Sequence, residues 1–171
     1  SPSNLVVDPV MIAKGGCALM QPDALETLKS EIIPLSYLIT PNIPEAVTIT
    51  GMTISSVDDM RKAAAVIHRM GAKNVLIKGG HSAGDAEDIL FDGEKYHSFI
   101  TRRIDTKNTH GTGCTFSSAI TANLANEMDI KSAVKAAKDY VTMAIEHALP
   151  IGKGHGPTNH FYKLYKESGM I

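Results

Sequence analysis

The feature that most constrains this chain is a repeated order of segments. A short continuously apolar run is followed by a break with proline, glycine or a polar residue, and then by apolar residues three and four apart. Leu5 to Asp8 opens the pattern, Tyr37 to Thr40 repeats it before Pro41, and Val75 to Ile77 repeats it before "KGG". Runs this short suit strands buried on both faces, as in a parallel sheet. The stretches between them predict helices. Pro22 stands near the start of the first, Asp23 and Glu26 sit in its first turn, and Ala24, Leu25, Leu28 and Ile32 form its apolar face. "IPEAVTIT" predicts a short helix closed by Gly51. Ser56 caps the next, in which Val57, Met60, Ala64 and Ile67 repeat at helical spacing before Gly71. "DILFDGEKYHSFITRRI" predicts a hairpin turning at Asp92 and Gly93. A long apolar helix is expected from Gly113 to Asn126. Another carries Ile130, Val134, Ala137, Val141 and Ile145 on one face, and an aromatic turn or short helix ends the chain. Strands alternating with helices define an α/β fold with a mostly parallel sheet and an edge hairpin, in one domain over residues 1–171.

Charge narrows the partners. Seventeen basic and eighteen acidic residues give a net charge of -1 and no basic stripe, so neither nucleic acid nor a membrane surface is expected, and a small molecule is. The two cysteines, Cys17 and Cys114, make no disulfide framework, and the seven histidines match no zinc spacing. Free thiols, the lack of a long apolar span and the lack of a signal-peptide pattern set a cytoplasmic expectation. The chain enters its first strand after four residues without an initiator methionine, which leaves open a processed or incomplete version of a longer protein.

Chemistry gathers where the segments end. In "NTHGTGCTFSSA", Gly111 and Gly113 let the backbone turn tightly into a helix whose first amides face the loop, an anion site made from backbone alone. Its spacing fits neither the phosphate loop with Lys and Ser/Thr nor the three-glycine dinucleotide fingerprint. Cys114 in the first turn is either a buried filler, a nucleophile or a proton acceptor, since that position favours a thiolate. A hydrolytic role would need an oriented histidine, and His110 has no evident orienter in sequence. In "TPNIPEA", Asn42 and Glu45 are spaced as a capping box and also as oxygen ligands for magnesium, and both readings can hold together. Asp8 after the first strand is either a turn cap or a carboxylate of the catalytic face. After the third strand, Lys78 with Gly79 and Gly80 is either a lysine that compensates phosphate charge beside glycines that let a ligand lie on the backbone, or a simple glycine turn.

Taken together, "VVDPVM", "AKGG", "LITPNIPEA", "VLIKGGH" and "TKNTHGTGCTFSSAI" resemble the hydroxymethylpyrimidine and hydroxymethylpyrimidine-phosphate kinases of thiamin biosynthesis, a branch of the ribokinase-like superfamily. The resemblance extends to "GKGHGPTNHF". It implies a Rossmann-like three-layer αβα domain, ATP and magnesium as cofactors, usually a homodimer, and a chain that corresponds to the C-terminal two thirds of such an enzyme. It implies Asp8 and Glu45 at the metal, with Asn42 around its waters, and Val10 against the substrate ring. Lys78 would stand beside the ATP phosphates, with Thr109 and Lys138 toward the nucleotide. Gly111, Thr112, Gly113 and Cys114 would form the anion hole for the transferring phosphoryl group, with Cys114 facing the substrate hydroxyl where many sugar kinases carry aspartate. A related branch phosphorylates pyridoxine, pyridoxal or pyridoxamine with much the same motif. Two other readings stay beside the kinase ones: a non-catalytic anion-binding fragment and a cysteine hydrolase.

Overall fold

The structure, a computed structural model, describes residues 4–12, 18–80 and 84–171. Cys17 and His81 lie outside the described residues. Two compact units divide the chain, one ending at Arg102 and the other beginning at Arg103.

The first unit is built on a five-stranded sheet. Its strands are β1 (Val6–Val7), β2 (Leu38–Ile39), β3 (Asn74–Ile77), β4 (Ala86–Phe91) and β5 (Tyr96–Thr101), and they lie side by side in chain order. β1 pairs parallel with β2, and β2 with β3. β3 pairs antiparallel with β4, and β4 with β5. The sheet is therefore mixed in equal parts. The expected parallel character belongs to β1, β2 and β3, and the hairpin of β4 and β5, turning at Asp92 and Gly93, supplies the antiparallel part.

Three helices connect these strands: α1 (Pro22–Thr27), α2 (Ile43–Thr50) and α3 (Val57–Arg69). Asn42 caps α2 in a capping box with Glu45, and Gly51 closes it in the left-handed region, φ 71°. The Ser56 hydroxyl accepts from the Asp59 amide at the start of α3. Met60, Ala63, Ala64 and Ile67 of α3 pack with Ile39, Val75, Ile77 and Ile89 into one core. Leu38, Leu76 and Leu90, at alternate positions and so on the other face, are also fully buried. Each such side chain contributes about 1.5–3 kcal/mol. Burial on both faces is why these strands read as unbroken apolar runs.

One expected face needs correction. Past Thr27 the backbone continues as a π-turn, Leu28–Ile32, and a 3₁₀ turn, Ile33–Leu35. The Ile33 amide donates to the Leu28 carbonyl, five residues back. That widening puts Ile33, not Ile32, beneath Leu28: Ile33 is fully buried while Ile32 is 37% exposed. Ala24 is exposed as well.

The second unit is helical, with α4 (Thr112–Ala125), α5 (Ile130–Glu146) and α6 (Tyr162–Glu167). Phe116, Ile120 and Leu124 of α4 are buried at a spacing of four, and Val134 and Ala137 of the face expected on α5 are buried at a spacing of three. Asn123 reaches from α4 to the Ala133 carbonyl of α5, 3.1 Å away.

Candidate active site

Parallel strands carry their carboxyl ends to the same edge of a sheet, and in α/β folds ligands bind there. Asp8 directly follows β1, Asn42 is the third residue after β2, and Lys78 directly follows β3. The structure brings these together with Glu45. Lys78 Nζ donates to Asp8 Oδ1 at 2.7 Å, and both side chains are only 13–14% exposed. The Lys78 amide donates to the Pro41 carbonyl at 2.8 Å, and Lys78 and Asn42 form a parallel bridge that extends the β2 and β3 pairing. Thr40, fully buried, donates its hydroxyl to the same Asp8 oxygen at 3.1 Å. Sequence reading passed over Thr40, and its position in "TPN" was the available signal.

Glu45 is 6% exposed. Its Oε2 accepts from the Asn42 amide at 2.8 Å, and its own amide donates to Asn42 Oδ1 at 2.9 Å. The capping box is thus real. Burial pushes the Glu45 carboxyl above its ordinary range and the nearby Asp8 charge adds to that. The Asn42 amide, Lys78 and the Met11 amide pull the other way. Among the described residues the two carboxylates of Asp8 and Glu45 thus share the field of the Lys78 ammonium in a sheltered place. Val10 follows Asp8 through a tight turn, its amide donating to the Asp8 carbonyl at 2.9 Å, and is 40% exposed.

In the second unit Gly111 is the residue before the first turn of α4, at φ 81°. A residue with Cβ is disfavoured there, and a glycine has no side chain to cap the amides of Thr112, Gly113 and Cys114. Thr112 Oγ1 donates to the Thr109 carbonyl at 3.2 Å, and Thr115 Oγ1 to the Gly111 carbonyl at 2.8 Å, so the hydroxyls brace the turn. Cys114 is exposed at the third helical position. The glycine-rich segment near the end of the chain holds this loop. The His110 amide donates to the Gly156 carbonyl, the Gly156 amide donates to Asn108 Oδ1, and His155 Nδ1 lies 3.1 Å from the Lys107 carbonyl. Lys138, on α5, is 6% exposed.

An open hollow of about 430 Å³ beside α1, lined by Met20, Asp23, Ala24, Thr27, Leu28 and Ile32, contains none of the expected site residues. No helix among the described residues is long and apolar enough to cross a membrane.

The sequence profile of the phosphomethylpyrimidine kinases matches residues 1–159. The chain belongs to that family. It is 53% identical to the hydroxymethylpyrimidine/phosphomethylpyrimidine kinase of Bacillus subtilis over 93% of its length, spanning 59% of that protein. It is 56% identical to the thiamine biosynthesis bifunctional protein ThiED of Geobacter sulfurreducens, over 91% of this chain and 32% of that one. Among solved structures, an ADP complex of Bacillus subtilis pyridoxal kinase superposes with a TM-score of 0.84 at 40% identity, covering 95% of this chain and 60% of that one. The phosphomethylpyrimidine kinase of Clostridium difficile 630 superposes at 0.73 with 47% identity, over 84% of this chain and 58% of that one. The fold is thus the ribokinase-like α/β fold of these vitamin kinases, and the chain spans about 60% of the length of the single-function relatives.

Proposed function

We propose that this chain is the greater part of an ATP-dependent kinase acting on 4-amino-5-hydroxymethyl-2-methylpyrimidine and on its monophosphate. The observation that carries the reading is the Lys78 to Asp8 pair with Glu45 and Asn42 beside it, gathered at the carboxyl ends of β1, β2 and β3 in a member of this family. Lys78 meets the ATP phosphates as a point charge, with Thr109 and Lys138 toward the nucleotide. The amides of Gly111 to Cys114 stabilise charge on the transferring group, and Val10 lies against the pyrimidine.

In the chemical step the substrate hydroxyl oxygen forms a bond to the γ-phosphorus, the bond from that phosphorus to the β,γ-bridging oxygen breaks, and ADP departs. Cys114 Sγ takes the hydroxyl proton. In the second reaction a phosphate oxygen of the monophosphate attacks in the same way. Positioning and charge stabilisation supply most of the rate.

Magnesium fits the residues present. No group of three or more His, Cys, Asp or Glu among the described residues is arranged to hold a metal alone. Asp8 and Glu45 offer two carboxylates, and magnesium is usually held by one or two carboxylates together with substrate phosphates and water. When bound, it neutralises charge on the ATP phosphates.

A pyridoxal-type kinase is the second reading, favoured by TM-scores of 0.84–0.85 to pyridoxal kinases of Bacillus subtilis and Staphylococcus aureus. A cytoplasmic homodimer completes the proposal, checked by fractionation and by sedimentation of the full-length protein. The deciding experiment is ATP-dependent phosphorylation by that protein, with hydroxymethylpyrimidine, its monophosphate and pyridoxal as separate acceptors. Turnover of both pyrimidines supports the first reading and turnover of pyridoxal alone the second. Absence of turnover with all three overturns both.

A further inference from the structure

Asp88 is a buried acid in the middle of a strand. It stands in β4 two residues before Leu90, on the same face, and is 4% exposed where Leu90 is fully buried. A carboxylate in such surroundings is costly unless it is hydrogen-bonded. Here it accepts, at Oδ1, the backbone N–H of Gly79 at 2.8 Å. The β3 and β4 register, Ile77 opposite Ile89, sets Asp88 alongside Lys78. Gly79 is pressed so closely to β4 that a Cβ there would run into the Glu87 carbonyl oxygen. The Lys78 backbone is thus gripped from both sides: its amide donates to Pro41 on the β2 side, and the next amide donates to Asp88 on the β4 side. Between those two anchors the side chain reaches Asp8.

We propose that Asp88 is a positioning residue of the phosphate site. By holding the Gly79 amide it fixes the corner after β3 and so aims the Lys78 ammonium. The inference rests on the kinase reading for what Lys78 does, and on hydrogen-bond geometry for how it is held.

Two measurements on the full-length protein test it. In the first, amide exchange at Gly79 is followed by NMR, with no substrate present. Protection falls at least about tenfold in Asp88→Ala and is kept in Asp88→Asn, which retains an acceptor oxygen. Equal exchange in wild type and Asp88→Ala overturns the proposal. The second is a kinetic cycle with Lys78→Ala. Asp88→Ala alone lowers kcat by about 10- to 100-fold, as expected for a misaimed group, with the acceptor KM within about twofold. Asp88→Asn recovers most of that loss. In the Lys78→Ala background Asp88→Ala costs no more than about twofold, because the group it acts through is already gone. The same loss in both backgrounds marks Asp88 as merely structural and overturns the proposal. A wild-type protein that phosphorylates none of the three acceptors overturns the kinase reading instead, and the exchange measurement still decides whether Asp88 holds the corner.

Discussion

Lys78 Nζ lies 2.7 Å from Asp8 Oδ1 and joins the ends of β3 and β1 across the strand between them. Both side chains are mostly buried, so removing one leaves the other charge poorly solvated. Asp8→Asn and Lys78→Met should each lower stability in chemical denaturation by about 1.5–3 kcal/mol, the range for hydrogen bonds to charged groups. The double variant should lose less than the sum, because the second change removes the opposite charge whose compensation the first took away. Activity should not return with stability, since the lysine is proposed to meet phosphate. Additive losses in the double variant would show that the pair does not couple.

Glu45 has a sign that separates stability from function. Its carboxyl is raised above the ordinary value of 4.5, so the fold prefers the protonated form. The stability this provides is fully present below about pH 4.5 and is lost as pH rises through the folded pKa. Glu45→Gln keeps an acceptor for the Asn42 amide and never carries a charge. In metal-free buffer its melting temperature should therefore gain on wild type between pH 4 and pH 8. The full-length variant should need more magnesium for half-maximal rate. An unchanged magnesium dependence would leave Glu45 as a helix cap alone.

Cys114 is exposed in the first turn of α4, so Cys114→Ala removes no core packing. Melting temperature should stay within about 2 °C, in line with surface changes of about 0.5 kcal/mol or less. A lost proton acceptor should lower kcat by about 10²-fold or more with the ATP KM little changed. A stable acyl adduct on Cys114 with an ester probe would favour the hydrolase reading instead.

The hairpin tip carries an acid-sensitive contact outside the site. Asp92 Oδ2 lies 2.7 Å from His97 Nε2, and Asp92 Oδ1 accepts from the amides of Glu94 and Lys95. The His97 contact first, and the Lys95 amide next, hold the carboxyl at about 2 instead of 3.8. A depressed carboxyl stabilises above its unfolded value and loses that contribution as pH falls through the folded one. Asp92→Ala should cost about 1–2 kcal/mol above pH 4. The gap to wild type should close as pH falls toward 2. A gap that stays constant across that range would remove the carboxylate from the explanation.

The elements legible from sequence were those whose pattern is local. Unbroken apolar runs marked β2 and β3, the Asn42 and Glu45 spacing marked the start of α2, and Asp92 with Gly93 marked the hairpin turn. Long-range contacts left no local trace. That Lys78 would reach Asp8, seventy residues earlier, depends on strand order, and so does the hold of Asp88 on Gly79. The one sequence signal for Asp88 was an acid inside the apolar strand "AEDILF". The π-turn at Leu28–Ile32 was hidden for a different reason: period 3.6 was assumed, and one wide turn moved the buried face from Ile32 to Ile33.

Gly111 tests whether the amides of α4 matter more than its fold. Its φ is 81°, and a Cβ there would meet nothing within 4 Å. Gly111→Ala therefore carries only the conformational cost of the left-handed region, about 1–2 kcal/mol. Part of that strain is relieved if the backbone rotates, and rotation re-aims the amides of Thr112 and Gly113. In the full-length protein the rate should fall by about 10- to 100-fold, more than the loss of stability alone would produce below the melting temperature. Gly154→Ala is the matched control. It also meets nothing within 4 Å and has no positive φ, so it should leave both melting temperature and rate unchanged. If Gly111→Ala loses stability yet turns over at the wild-type rate, the amides at the start of α4 do not receive the phosphoryl group.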